Sequence, residues 1–248
     1  RYAETGLQHG TITVVIDHVG YEITSLRTET DHDGRHATVA YTRDWVEDLS
    51  RRDFTINAMA MTFDGVLVDP FNGKADLQNE VVRFVGDADA RVKEDYLRIL
   101  RWFHFQARFG KKGNIDPAAW QAILDNYKGL KQISRERVWS ELKKIVAHPR
   151  GSALFRVMHE VGMGTYISTE VAQFANYMPD YANKILRFTQ DPEVVMAAWM
   201  SWEYDDVARI AFNLKWSSEE RDHALWLCKH YKRGHIWSIR CDCGKCRW

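Results

Sequence analysis

Glu94-Asp95-Tyr96-Leu97-Arg98-Ile99-Leu100-Arg101 is the stretch on which the reading of this chain turns. Read as a helix, residues three apart advance about 300°, so Asp95, Arg98 and Arg101 fan across an arc of about 120°. An acceptor-only carboxylate then lies one turn from a donor-only guanidinium, with a second guanidinium beyond. Such a pair can read a nucleobase. Cytosine and adenine each show an amino donor beside a ring-nitrogen acceptor, whereas uracil and guanine show a carbonyl beside an N–H. An Asp–Arg pair fits the first pattern and leaves groups unpaired against the second, the condition for strong discrimination. The plainer alternative is a solvated helix face with a Glu94–Arg98 pair at i,i+4. The octapeptide alone does not choose between them.

Its neighbours do. Upstream stands Glu47-Asp48-Leu49-Ser50-Arg51-Arg52-Asp53-Phe54-Thr55-Ile56-Asn57-Ala58-Met59. Between the two lie Asp69-Pro70-Phe71-Asn72-Gly73-Lys74-Ala75-Asp76-Leu77 and Val81-Val82-Arg83-Phe84-Val85-Gly86-Asp87. In this order and spacing the segments resemble the nucleotide-selecting half of the class II tRNA nucleotidyltransferases, the CCA-adding enzymes, and their bacterial poly(A) polymerase relatives. The resemblance runs from Thr5 to the segment ending at Arg221. R-R-D-F-T-x-N-A together with E-D-x-L-R-x-L-R is its most specific part.

The resemblance implies template-independent addition of C, C and A from CTP and ATP to the 3′ end of tRNA, with Mg2+ as cofactor. Poly(A) polymerase or A-adding activity is the first alternative, and a catalytically silent RNA-binding module the second. Asp95 and Arg98 would form the protein template for CTP and ATP, and Arg101 a further nucleotide contact. His104 stands where the family commonly has another arginine, which makes that contact weaker or pH-dependent. Arg52 would donate to phosphate or base, and Asp53 would accept from a ribose 2′-hydroxyl. Glu94, Asp69 and Asp76 would brace the scaffold. The motif around Ile133-Ser134-Arg135-Glu136-Arg137-Val138-Trp139 would close the neck, with Arg135 and Arg137 available to RNA.

Nucleotidyl transfer uses two divalent cations about 3.5–4 Å apart, held by carboxylates and phosphate oxygens. In the family the main ligands lie in a D-x-D strand preceded by G-G-x-V-R-D, and neither motif occurs in these 248 residues. Asp31-His32-Asp33 matches by letters only. Glu22 matches the family's third carboxylate, the expected catalytic residue and metal ligand of this chain. The chain begins at Arg1 inside a strand-rich region, so the expectation is a head lacking its N-terminal part and negligible transfer by these residues alone. Gly6-Leu7-Gln8-His9-Gly10-Thr11 and the Asp33-Gly34-Arg35-His36 loop look like the CCA-adding version of the family.

Composition narrows the class. Net charge is zero, which argues against a general polyanion binder, yet residues 128–160 hold 8 basic against 3 acidic side chains and residues 229–248 hold 6 against 1. Such segments attract phosphates locally, so Arg135, Arg137, Lys143 and Lys144 are candidate RNA contacts. No apolar run approaches the roughly 18 residues that span a bilayer. No signal-peptide pattern opens the chain either, and a cytoplasmic protein without membrane partners is expected. Cysteines should then be reduced. Cys241, Cys243 and Cys246, with Cys228, His230 or His235, could bind zinc, but C-x-C-x-x-C departs from the usual paired spacing.

The expected fold is α+β: a partial nucleotidyltransferase-type mixed sheet over residues 1–85, nucleotide-selecting neck helices over 86–150, and a helical, RNA-binding body over 151–248. Residues 11–16 and 21–26 read as a hairpin around His18-Val19-Gly20, residues 27–43 as a polar mobile loop, and 44–52 as a helix capped by Asp44. Residues 55–63 read as a strand, with short extended pieces at 66–68 and 81–85. From Asp87 onward the pattern is helical, with Ser134 as a cap and helices at 151–162, 170–177, 180–189, 193–202 and Ser218–Tyr231. Trp199, Trp202, Trp216 and Trp226 are expected in the core.

Overall fold

A computed structural model describes residues 2–6, 10–32, 37–174 and 182–231. The Asp33-Gly34-Arg35-His36 loop, residues 7–9 and the cysteine run at 241–246 lie outside the described residues. The fold is α+β, in two compact units, Arg1–Asp95 and Tyr96–Trp248.

In the first unit β1 (Tyr2–Gly6), β2 (Thr11–Ile16) and β3 (Val19–Thr24) form an antiparallel sheet in that order. The β2–β3 turn is Asp17-His18, both at positive φ, one residue earlier than the sequence suggested. Two left-handed residues give a tight turn whose twist matches the strands, and Asp and His tolerate that region better than the β-branched Val19. Residues 27–43 are not a loop: β4 (Arg27–His32) pairs antiparallel with β5 (Ala37–Tyr41). This ribbon carries no apolar alternation, and its Thr, Val and Tyr content is its only strand signal. Next comes α1 (Trp45–Ser50), where Asp44 Oδ1 accepts from Val46 N at 2.7 Å, an N-cap of the expected kind.

Residues 55–63 also differ from expectation. Thr55–Asn57 curl into a 3-10 turn, followed by the two-residue hairpin of β6 (Ala60–Met61) and β7 (Leu67–Val68). Side chains impose the curl: Asp53 Oδ1 accepts from Phe54 N and Asn57 Nδ2, and Thr55 Oγ1 donates to Asp76 at 2.7 Å. Residues 81–85 contribute one antiparallel bridge, Phe54 to Phe84, whose rings sit 5.0 Å apart. Helix α2 (Gly73–Gln78) presses on the turn so closely that a Cβ on Gly73 would lie 2.1 Å from Thr55 O. Leu49, Ala58 and Val85 close the small core beneath, and α3 (Ala88–Glu94), capped by Asp87, ends the unit.

In the second unit α4 (Leu97–Arg108), α5 (Pro117–Asn126) and α6 (Arg135–Val146) precede α7 (Gly151–Glu160), α8 (Gly164–Ile167) and α9 (Thr169–Phe174). After residue 181 follow a 3-10 segment (Ala182–Arg187), α10 (Pro192–Trp199), α11 (Tyr204–Asn213) and α12 (Ser218–Tyr231). Helix α4 packs on α6, and α10, buried from Glu193 to Trp199, packs on α6 and α12. Helix α5 starts with Pro117 behind an Asp116 cap, a pre-organised first turn. Trp199, Trp202 and Trp216 are core residues, but Trp226 is 40% exposed and stacks on His230 at 4.1 Å. Among the described residues no helix is long and apolar enough to cross a membrane.

Residues 88–108 are not a single helix, because Asp95 is extended (φ −154°, ψ 105°) between α3 and α4. Asp favours helix starts over interiors, and Tyr96 begins the second helix with its ring against Gly129, where a Cβ would sit 2.3 Å from it. Asp95 therefore does not share a helix face with Arg98 and Arg101. Arg98, Arg101 and His104 do share one.

Candidate functional site

In the first unit the expected contacts cluster at the end of α1. Asp48 is 3% exposed and holds three arginines. Its Oδ1 accepts from Arg27 N at 3.1 Å and Arg51 Nη2 at 2.6 Å, and its Oδ2 from Arg52 Nη2 at 3.3 Å. Burial pushes the Asp48 carboxyl up, but the bonds from Arg51, Arg27 and Arg52 outweigh it and hold the group below the ordinary Asp value. Arg52 also donates to Asn57 O at 3.1 Å. Arg52 thus forms a helix-terminal ion pair, with Asp48. Asp53 is buried and shapes the turn that follows it. Asp69 bonds Gly73 N and Lys74 N, Asp76 accepts from Thr55 and Arg83, and Glu94 pairs with Arg91. These three carboxylates brace the scaffold.

Glu22 lies on β3 opposite Thr13, on a strand exposed along its length. Among the described residues no group of three or more His, Cys, Asp or Glu side chains is placed to hold a metal ion. One exposed carboxylate does not fit a two-cation site. Asp31 and His32 belong to β4, and Asp33 lies outside the described residues.

In the second unit α4 is two-faced. Ile99, Leu100, Trp102, Phe103, Gln106 and Ala107 are buried on one side. Arg98, Arg101, His104, Phe105 and Arg108 occupy the other, within the arc that 100° per residue assigns them. The Arg101 guanidinium stands over the Phe105 ring at 5.7 Å. Behind this row lies Glu141 of α6, 3% exposed. Its Oε1 meets Lys144 Nζ at 2.7 Å and Arg101 Nη1 at 3.6 Å, and its Oε2 faces His104 Nδ1 at 3.6 Å. Burial raises the Glu141 carboxyl, but His104, Lys144 and Arg101 prevail and bring it down to about 2. His148, after α6, is lowered by burial and by Arg150, His104 and Arg108 around it.

The candidate RNA contacts of α6 divide. Arg135 Nη1 donates to Ile167 O at 2.5 Å, tying α6 to the end of α8. Lys143 pairs with Glu220 at 2.9 Å, a carboxylate that also accepts from Trp139 Nε1 and Ser217 N. Lys144 pairs with Glu141. Arg137 is exposed. Asp48 and Glu141, which organise the two basic groups, were missed by motif reading. Glu141 left a signal, a charge inside the apolar stripe of Val138, Leu142 and Ile145. Asp48 left none.

A poly A polymerase head domain model matches residues 1–83, and one described as the probable RNA and SrmB-binding site of polymerase A matches residues 114–174. The chain is 41% identical over 228 residues to the mitochondrial CCA tRNA nucleotidyltransferase 1 of Homo sapiens, covering 92% of this chain and 52% of that protein. It is 36% identical to the CCA-adding enzyme of Lacticaseibacillus paracasei, over 81% of this chain and 48% of the relative. Among solved structures, the Bacillus stearothermophilus CCA-adding enzyme in complex with CTP superposes with a TM-score of 0.73 at 27% identity, over 96% of this chain and 59% of that one. The chain thus spans about half the length of the curated relatives it matches. With its R-R-D-F-T-x-N-A and E-D-x-L-R-x-L-R motifs, this chain belongs to the family of the CCA-adding tRNA nucleotidyltransferases and poly(A) polymerases.

Proposed function

We propose that the chain is the nucleotide-selecting and RNA-binding part of an enzyme that adds C, C and A from CTP and ATP to the 3′ end of tRNA. The observation that carries this reading is the half-buried basic side of α4, where Arg98, Arg101 and His104 stand on one face against a buried, mainly apolar opposite face. Relatives named for CCA addition support it, as does the likeness to a structure solved with CTP. In this reading residues 1–85 supply the head, 86–150 select the nucleotide and 151–248 hold the tRNA. Arg52 and Asp53 contribute nucleotide contacts in the head. Glu22 takes part in the chemistry only beside carboxylates that complete a Mg2+ site, because alone it does not fit one. The cytoplasm is the proposed compartment, with the mitochondrial matrix, where the human relative's name places that protein, as the other outcome of cell fractionation.

Asp95 accepts from the amino group of C or A in this reading, and Arg98 donates to the ring acceptor. Replacing Asp95 by alanine leaves Arg98 able to donate to a carbonyl of U or G. The variant should lose discrimination more than total binding, by about 1–3 kcal/mol for one good bidentate contact. Single-turnover incorporation of all four nucleotides, with a D-x-D segment supplied in the same chain, measures the ratio. Equal slowing of all four with the C-over-U ratio unchanged makes the carboxylate scaffold and ends the template reading.

A further inference from the structure

His104 stands on the half-buried basic side of α4, and its ring is turned so that Nδ1 points inward. That nitrogen and Glu141 Oε2 are both buried, both lack a hydrogen-bond partner among the described residues, and face each other at 3.6 Å. This is beyond hydrogen-bond length. A buried acceptor and a buried ring nitrogen left unmatched are each costly, so a small ring rotation that joins them is favoured. The carboxylate has no other use for this oxygen, since Lys144 and Arg101 both approach Oε1. The pair thus has the layout of a carboxylate-backed histidine, in which the partner of one ring nitrogen decides what the other can do.

Arg101 and Arg108 lie on its own helix, Lys144 on α6, and His148 and Arg150 on the turn that follows. Glu141 is the one carboxylate paired with the ring among the described residues. In a neutral imidazole whose Nδ1–H is given to a carboxylate, Nε2 keeps its lone pair and accepts. Arginine at this position could only donate.

Resting on the nucleotide-selecting role of α4, we propose that Glu141 is a positioning residue that fixes His104 as the Nδ1–H tautomer, so that Nε2 accepts a hydrogen bond from a donor group of the bound nucleotide. Two donors share that chemistry, the exocyclic amino group of the base and a ribose hydroxyl. Position 104 is then an acceptor in a row of donors.

The test uses the 248-residue chain at pH 8. Long-range 15N–1H correlation of its imidazoles, with His104→Gln identifying the resonance, should show His104 protonated on Nδ1. Solvated imidazoles prefer Nε2–H, so an Nε2–H result for His104 overturns the proposal whatever the chain binds. Glu141→Gln should move His104 toward Nε2–H and weaken CTP binding roughly tenfold, the size of one charge-assisted hydrogen bond. In the His104→Gln background the same change should have a clearly smaller effect on CTP, the remainder passing through Arg101. An undiminished effect there means that Glu141 acts through Arg101 or Lys144 alone, and the proposal fails. Comparing CTP with UTP and with dCTP separates the amino group from the 2′-hydroxyl as the donor. A chain that binds neither CTP nor ATP removes the nucleotide-selecting reading and the ligand half of the proposal with it, while the tautomer still tests the Glu141–His104 pairing.

Discussion

Asp48 and Glu141 are both 3% exposed, and both collect cations, but they do different things with them. Asp48 uses both oxygens. Arg51, Arg52 and the Arg27 backbone converge on it within hydrogen-bond distance, and Arg51 also reaches back to Arg27 O at 3.0 Å. Its arginines lock α1 to β4. Glu141 has one short bond, to Lys144, and holds Arg101 and His104 at 3.6 Å. Both stand on the polar side of α4. A buried carboxylate that saturates both oxygens at hydrogen-bond distance ties elements together, and one with an oxygen to spare orients the side chain that faces it.

The same isosteric change should therefore cost more at Asp48. Asp48→Asn puts an amide among converging donors and breaks a buried pair, for about 3–5 kcal/mol. Glu141→Gln keeps an oxygen for Lys144 and should cost about 2–3 kcal/mol, from the carboxyl held near 2 against an ordinary 4.5. Hydrogen exchange followed by segment separates the two, since Asp48→Asn should lower protection in residues 1–95 and Glu141→Gln in 96–248. Equal losses, or a loss in the wrong segment, break the comparison.

Acid titration sharpens it. The Glu141 carboxyl is depressed in the folded state, so its stabilising effect is complete above pH 4.5. That effect is lost as pH falls from 4.5 through about 2, a change of about 3 kcal/mol at most. His223 works in the opposite sense. Glu193, 3.0 Å away, raises it, so its contribution is complete below 6.5 and fades as pH rises through the folded value. Denaturant melts of the second unit should steepen below pH 4.5, and Glu141→Gln should flatten the profile in that window and nowhere else. A Glu141→Gln profile parallel to the unmodified one would mean that the three cations do not depress the carboxyl.

How much of this was legible follows from where the information sits. The β2–β3 hairpin, the Asp44 cap, the polar row along α4 and three of the four tryptophans follow from local rules. The β4–β5 ribbon did not, because Arg27-Thr28-Glu29-Thr30-Asp31-His32 has no apolar period to reveal it. The 3-10 turn at Thr55–Asn57 was hidden because its cause, Asp76, lies 21 residues away. The break at Asp95 was hidden for the same reason, with Gly129 still further along the chain. Motif spacing named Arg52, Arg101 and His104 without naming the carboxylates that hold them. Motifs mark residues that face outward, and pairing across elements is not periodic in sequence.

The smallest effect concerns RNA and asks whether an ion-paired lysine still counts as a phosphate contact. Charges compensated inside the protein release fewer counterions when a phosphate arrives, because the salt bridge must open or be shared. Lys143 and Lys144 are compensated, by Glu220 and Glu141, and Arg135 is held by the Ile167 carbonyl. Arg137 is exposed on the same helix. Removing a cation that neutralises one phosphate lowers the log–log salt slope of binding by about 0.9 on duplex and about 0.7 on single-stranded RNA. Lys143→Ala should lower the slope by less than this single-phosphate value with a tRNA acceptor stem, and cost stability, since it leaves Glu220 short of a partner. Lys144→Ala should do the same at Glu141. A full single-phosphate drop for Lys143→Ala would mean that the Lys143–Glu220 bridge opens to take phosphate, and the pairing seen on α6 would then not set its affinity for RNA.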